Sequence, residues 1–141
     1  MPPEIPTMVS ADGTYPVTPL RKDSISVAVV QTRVNGVNGD APQADIRSNL
    51  DYMLECIDAA QGWGPPSDLL CFHEFPLTGF SQWTRDQHDR LAIEIPGPET
   101  QAIGERCKRY GCYIVFGTYA KDPDWPEHIL HLMVLMGPDG S

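Results

Sequence analysis

Apolar residues in this chain fall into short runs, and one long amphipathic stretch separates the first two of them. Residues 25–31 are mostly apolar and β-branched and predict the first core strand. Residues 69–72 form an apolar run without polar alternation, as is typical of a strand covered on both faces. Between them, residues 40–61 carry apolar side chains at helical spacing, and we expect this helix to begin at an Asp40 N-cap. Strand, helix and strand at this spacing predict a crossover unit with two parallel strands, adjacent or nearly so. The predicted buried stripe of the helix is Ile46, Leu50, Met53, Leu54, Ile57 and Ala60.

The second half of the chain repeats this alternation of element types. Residues 83–91 are polar with one possible helical stretch, and residues 92–95 look locally extended. A second main helix is expected from the Pro96–Thr100 segment, with Pro98 in its first turn and Gly111 as its left-handed stop. Two further strands are predicted, at residues 112–119 and 129–136.

The two ends of the chain suggest its domain organisation. Residues 1–24 carry five prolines and read as a Pro-rich extension without repeats. Residues 25–141 hold all the predicted core elements. They end in a turn at residues 137–140. A turn after a strand predicts a partner strand, which the sequence does not contain. We therefore expect residues 25–141 to be the N-terminal part of a larger domain.

Composition narrows the class of protein. Hydrophobic residues make up 41% and charged residues 21% of the 141 residues, as in a globular chain. The net charge of −9 argues against a nucleic-acid partner, because phosphates would be repelled. No apolar run approaches the roughly 20 residues that a membrane span needs, so no membrane partner is expected. The four cysteines show no framework spacing and are interpreted as small buried hydrophobes in a reducing, cytoplasmic compartment.

The candidate chemistry lies where the 69–72 run ends. Glu74 follows that run directly and precedes Pro76, which cannot continue a ladder, so the acid is expected at the carboxyl edge of the sheet. Position allows two readings of Glu74: a solvated acid, or a partly desolvated general base. A zinc-protease motif fails because Leu77 stands where its second His should be. No metal and no cofactor are predicted.

The remaining nucleophiles and histidines are given structural interpretations. A reactive pair of Cys71 and His73 is possible in principle, but a cysteine inside a buried strand is usually inert. His88 and His128 are expected to be solvated in polar loops. His131 alternates within an apolar strand and is expected to be a hydrogen-bonded core histidine.

Seven segments, in order, resemble the first part of the nitrilase, or carbon–nitrogen hydrolase, superfamily. They are residues 27–31, 49–50, 68–74, 78–80, 95–100, 114–117 and 134–140. The resemblance implies an α/β fold, namely the N-terminal half of a four-layer α-β-β-α sandwich whose sheet is incomplete in this chain. It also implies a Glu-Lys-Cys thiol mechanism acting on a small amide, carbamoyl or nitrile substrate.

The resemblance also implies roles for individual residues. The catalytic Glu falls on Glu74, and Phe80 occupies a place where an aromatic residue often borders the substrate pocket. The Lys and the nucleophilic Cys are expected beyond residue 141, so this chain is expected to be inactive without them. By analogy with the superfamily, a homo-oligomer is expected. The chain departs from the superfamily at His73, where Pro is common, and at Leu130 and His131, where Tyr-Asn is common.

A second function class stays open from the sequence. A non-catalytic relative could act as a binding or assembly module. An incomplete sheet leaves apolar faces and an open strand edge, and such surfaces seek a partner.

Overall fold

A computed structural model of the protein describes residues 11–13 and 22–141, so most of the expected 1–24 extension lies outside the described residues. The described chain is an α/β layer, as predicted. Its elements, in chain order, are β1 (Val27–Val30), α1 (Gln43–Gly62), β2 (Leu69–Phe72), α2 (Arg85–Leu91), β3 (Ile93–Glu94), α3 (Pro98–Tyr110), β4 (Tyr113–Lys121) and β5 (Leu130–Met136).

The sheet is mixed, and β4 is its central strand. β1 and β2 are parallel neighbours joined through α1, which confirms the predicted crossover unit. β2 pairs with the start of β4 in parallel, and β5 pairs with β4 antiparallel along most of its length. Ala120 pairs with both Ile93 of β3 and Leu130 of β5, so β3 and β5 lie on opposite edges of β4. β2 and β3 therefore share one edge of β4, with a gap between them.

One face of the sheet is covered by α1 and α3. The helices contribute Met53, Ile57 and Ile103, and each is completely or almost completely buried. Alternate sheet residues meet them, because successive side chains on a strand point to opposite faces. The sheet residues in this core are Leu70, Phe72, Ile93, Ile114, Phe116, Val134 and Met136.

The other face of the sheet is open in the described chain. Val29 is 81% exposed, and Met133 and Leu135 are about 60% exposed. With Val27 and Tyr113, which are also exposed, they define what we call the open face. This confirms that an incomplete sheet leaves an apolar surface. Among the described residues, no helix is long and apolar enough to cross a membrane.

The helix ends follow local chemistry, with one exception. Pro98 opens α3, and Gly111 ends it in the left-handed region at φ 62°, as predicted. The predicted Asp40 cap of α1 is wrong: α1 is preceded by Pro42, and no side chain caps it. Asp40 Oδ1 instead accepts a hydrogen bond from Gln87 Nε2 in α2, at 3.0 Å. The Asp40 carboxylate therefore makes a tertiary contact with α2 instead of the predicted cap of α1.

Candidate functional site

The chain leaves the sheet plane directly after β2 and crosses β4 at Gly117. Gly117 N–H donates to the carbonyl of His73 at 3.4 Å. A Cβ added to Gly117 would lie 2.2 Å from the backbone oxygen of Glu74 and 2.8 Å from its Cα. Gly117 belongs to the set of β4 residues that alternate onto the open face. Glycine at this position therefore lets the backbone of Glu74 pass over the strand, which places the acid on the open face and not inside the helix-covered core.

The carboxylate of Glu74 contacts β5. Its Oε1 lies 3.1 Å from Nε2 of His131, and the side chains of the two residues are 58% and 46% exposed. The prediction that His131 is a core histidine is therefore wrong, because the residue shares the parity of the exposed Met133 and Leu135 and so alternates onto the open face. A separate cleft of about 540 Å³, lined by residues of α1, α3 and β3, does not include Glu74.

Aromatic rings surround this carboxylate–imidazole pair. The ring of the buried Phe75 stacks on Tyr119 at 4.9 Å and on His131 at 5.0 Å between centroids. Phe80, the predicted pocket residue, is 68% exposed and lies 5.7 Å from Phe75. Burial, and secondarily the nearby Glu74 carboxylate, raise the pKa of the Tyr119 hydroxyl. The imidazole of the pair thus packs against Phe75 and Tyr119, and the exposed Phe80 joins this aromatic cluster through Phe75.

His88 belongs to the same aromatic group. Its ring meets Tyr119 edge-on at 5.0 Å, and the residue is half-buried within α2. The prediction of a solvated loop histidine is wrong here, since α2 forms and packs against β4. His128, in the loop before β5, is exposed as predicted.

His73 shapes the turn that leads to Glu74. Its Nδ1 accepts a hydrogen bond from the backbone N–H of Phe75 at 3.3 Å. Its Nε2 lies 2.7 Å from the hydroxyl oxygen of Thr32, which follows β1. With Nδ1 an acceptor, the neutral ring carries its hydrogen on Nε2 and donates to Thr32. Burial lowers the pKa of His73, which favours this neutral form. His73 therefore fixes by hydrogen bonds the turn that leads to Glu74.

Asn49 ties together the segments that follow β1 and β2. Its side-chain amide is buried and donates to the carbonyls of Asn35, at 3.0 Å, and Leu77, at 2.8 Å. Gly79 completes the contact: its φ is +64°, and an added Cβ would lie 2.3 Å from the carbonyl oxygen of Asn35. The loop that carries Glu74 and Phe80 is therefore anchored to the body of the domain on both sides.

The four cysteines are free, so none of them is in a disulfide. Cys107 is fully buried, and burial raises the pKa of its thiol to about 12. Burial also raises the pKa of Cys112. Cys56 and Cys71 are half-buried. In residues 11–13 and 22–141, no cluster of three His, Cys, Asp or Glu side chains could hold a metal ion.

Sequence reasoning selected Glu74 and Phe80, and the structure brings them to one surface through Phe75. It missed Gly117 as part of the site, and it placed His131 near the expected pocket only as a departure from the superfamily pattern. The parity of His131 with Met133 and Leu135 along β5 was the available signal for its position. The crossing over Gly117 had no local signal, because it depends on where the chain after β2 runs.

The sheet is mostly parallel, and Glu74 lies just past the end of its inner strand β2. This arrangement is typical of the α/β proteins that place their sites at the carboxyl edge of a sheet. The family follows from comparison with known proteins. The model of the carbon-nitrogen hydrolase family matches residues 26–141. The chain therefore belongs to the carbon-nitrogen hydrolase family, also called the nitrilase superfamily.

Individual relatives agree with this assignment. The chain is similar to a formamidase of Bacillus cereus, with 29% identity over 101 residues that cover 70% of this chain. It is also similar to a formamidase of Helicobacter acinonychis, with 25% identity over 117 residues that cover 82% of this chain. The match spans 29% of the length of the first relative and 33% of the second.

Solved structures support the fold. An N-terminal amidase bound to an Asn-Glu-Ala peptide superposes with a TM-score of 0.67 at 18% identity, over 83% of this chain and 26% of that one. Nit3 of Saccharomyces cerevisiae, a nitrilase-superfamily member, gives 0.64 at 20% identity, over 83% of this chain and 41% of that one. The predicted nitrilase-like fold is confirmed.

Proposed function

We propose that the whole protein hydrolyses the carbon–nitrogen bond of a small amide and that Glu74 is its general base. The observation that carries this proposal is the position of Glu74: directly after an inner parallel strand, on the open face, in a chain of the carbon-nitrogen hydrolase family. Of the amide, carbamoyl and nitrile classes expected from the sequence, the amide class is favoured because the relatives include formamidases.

In the proposed reaction, Glu74 takes the proton of a cysteine thiol, and the thiolate attacks the amide carbon. The carbon–nitrogen bond then breaks, the proton passes to the leaving nitrogen, and ammonia departs from a thioester. Glu74 next takes a proton from water, which attacks the thioester, releases the acid and regenerates the thiol. A lysine stabilises the oxyanion that forms in each half.

We assign the cysteine and the lysine to a part of the protein outside this chain. The match with this chain covers only 29% of the length of the Bacillus formamidase. Cys107 and Cys112 are poor candidates for the nucleophile, since burial raises the pKa of each thiol and disfavours the thiolate. This chain therefore supplies the base, and we expect no turnover from it in isolation.

Phe80 is proposed to border the substrate. Its ring is largely exposed and contacts the buried Phe75, the residue that follows Glu74, so it can present an apolar wall to a substrate held there. Such a wall binds substrate and transition state about equally, so Phe80→Ala should raise KM more than it lowers kcat.

The test is ammonia release from formamide by the full-length protein and its Glu74→Gln variant. Removing a general base should lower kcat by about 10²–10⁴-fold. Glu94→Gln is the matched control, because Glu94 also stands at a strand end and is exposed, yet belongs to β3. Retained turnover in Glu74→Gln would remove Glu74 from the mechanism.

The open face favours a second candidate, a non-catalytic binding or assembly module, because exposed apolar surface such as Val29 seeks a partner. A full-length protein that folds but releases no ammonia from any small amide would favour this alternative.

A further inference from the structure

We propose that His131 is a positioning residue for Glu74: the contact of its Nε2 with Oε1 fixes the orientation of the carboxylate that accepts the proton. This inference rests on the proposed function of Glu74 as the base. It adds a residue from β5 to the site.

The geometry of the pair supports this role. His131 Nε2 lies 3.1 Å from Glu74 Oε1. A carboxylate has no hydrogen to donate, so the imidazole faces it as the N–H side of the pair. Among the residues that the structure describes, this is the only ion pair of Glu74. A reacting carboxylate gains from such a contact, because the orientation of a catalytic group contributes to the rate.

The imidazole is itself held in place. Its ring stacks on Phe75 with an angle of 19° between the planes, and it lies 5.5 Å from the ring of Tyr119. Tyr119 is also its direct partner across the β4–β5 ladder. A donor on a paired strand, packed between aromatic rings, costs little additional entropy when it orients a carboxylate.

A positioning role and a merely stabilising ion pair predict different results for melting temperature and for kcat. An exposed pair of this kind adds little to folding stability. If His131 acts only as a surface residue, its loss should leave both melting and catalysis unchanged. If it positions Glu74, its loss should leave melting nearly unchanged and lower kcat, since a small misplacement of a reacting group is costly.

Two variants of the full-length protein separate the donor from the ring. His131→Phe keeps the stack on Phe75 and removes the contact of Nε2 with Glu74. His131→Gln keeps an N–H donor near the place of Nε2 and removes the ring. His128→Phe is the matched control, since that histidine is exposed in the loop before β5 and stacks only on Trp125 among the described rings.

With formamide as the probe substrate, we expect His131→Phe to lower kcat by about 10–100-fold and to leave KM within about twofold of wild type. His131→Gln should recover most of that loss, and His128→Phe should match wild type. Thermal melting of each variant is followed by circular dichroism. If one of the two His131 variants is misfolded, the comparison with wild type uses the other His131 variant.

The outcomes distinguish this inference from the proposed function. Wild-type kcat in His131→Phe, or a larger loss in His131→Gln than in His131→Phe, would overturn the positioning role. If Glu74→Gln is inactive in the same series, Glu74 remains the proposed base even when the His131 variants rule out the positioning role. If Glu74→Gln keeps its activity, the proposed function fails first and the positioning role fails with it.

Discussion

Replacing Gly117 with alanine tests how the acid reaches the open face. The added Cβ would lie 2.2 Å from the backbone oxygen of Glu74 and 2.8 Å from its carbonyl carbon. Non-bonded carbon atoms pack at about 3.5 Å, so relief requires the two backbones to separate by roughly 1 Å. Neither contact is the flexible end of a side chain, so the strand and the turn must move together.

The separation has two consequences of known size. Overpacking in a well-packed region costs about 1–3 kcal/mol, and the 3.4 Å hydrogen bond between Gly117 N–H and the His73 carbonyl would stretch further. We expect Gly117→Ala to lose about 2 kcal/mol of unfolding free energy. A displacement near 1 Å should also lower kcat by about 100-fold if Glu74 is the base.

Urea denaturation and formamide turnover of the full-length protein measure both effects. Gly62→Ala is the control, because nothing lies within 4 Å of its added Cβ and its φ is not left-handed. Alanine at that helix end should be neutral or stabilising by about 0.5–1 kcal/mol. A Gly117→Ala variant with unchanged unfolding free energy and unchanged kcat would refute the crossing of Glu74 over β4.

Two further predictions concern buried groups. Asn49→Ala should lower the free energy of unfolding in urea by about 2–3 kcal/mol, because the Asn35 and Leu77 carbonyls lose their donor. The control, Asn38→Ala at an exposed position, should change it by no more than about 0.5 kcal/mol. Equal effects of the two substitutions would contradict the anchoring role of Asn49. Cys107 should resist iodoacetamide in the native protein at pH 8, because a thiol pKa of about 12 leaves a thiolate fraction on the order of 10⁻⁴. Mass spectrometry of native and urea-unfolded samples measures this, and native labelling as fast as in urea would show that the thiol is not buried.

Local signals predicted most of the fold. The stripe of α1, Pro98 at the start of α3 and Gly111 at its end each depend on residues close together in the chain, and each is confirmed. The order of strand, helix and strand likewise predicted the parallel β1–β2 pair. Asp40 failed as a cap because its partner, Gln87, lies 47 residues away, and a local pattern carries no information about such a contact.

The site was only partly predictable, for the same physical reason. Glu74 could be found because the apolar run ends beside it. His131 was assigned to the core because it alternates within an apolar strand, whereas in the described chain only one face of β5 is covered and His131 lies on the other. The role of Gly117 appears only when the path of the chain after β2 is known.

The open face has a consequence for the behaviour of these residues in solution. The chain carries a net charge of −9, so copies that approach each other through Val29, Met133 and Leu135 must first overcome mutual repulsion. That repulsion is screened beyond about 8 Å at physiological ionic strength. Dilute buffer should therefore keep isolated copies of this segment dispersed, and added salt should drive them to coalesce.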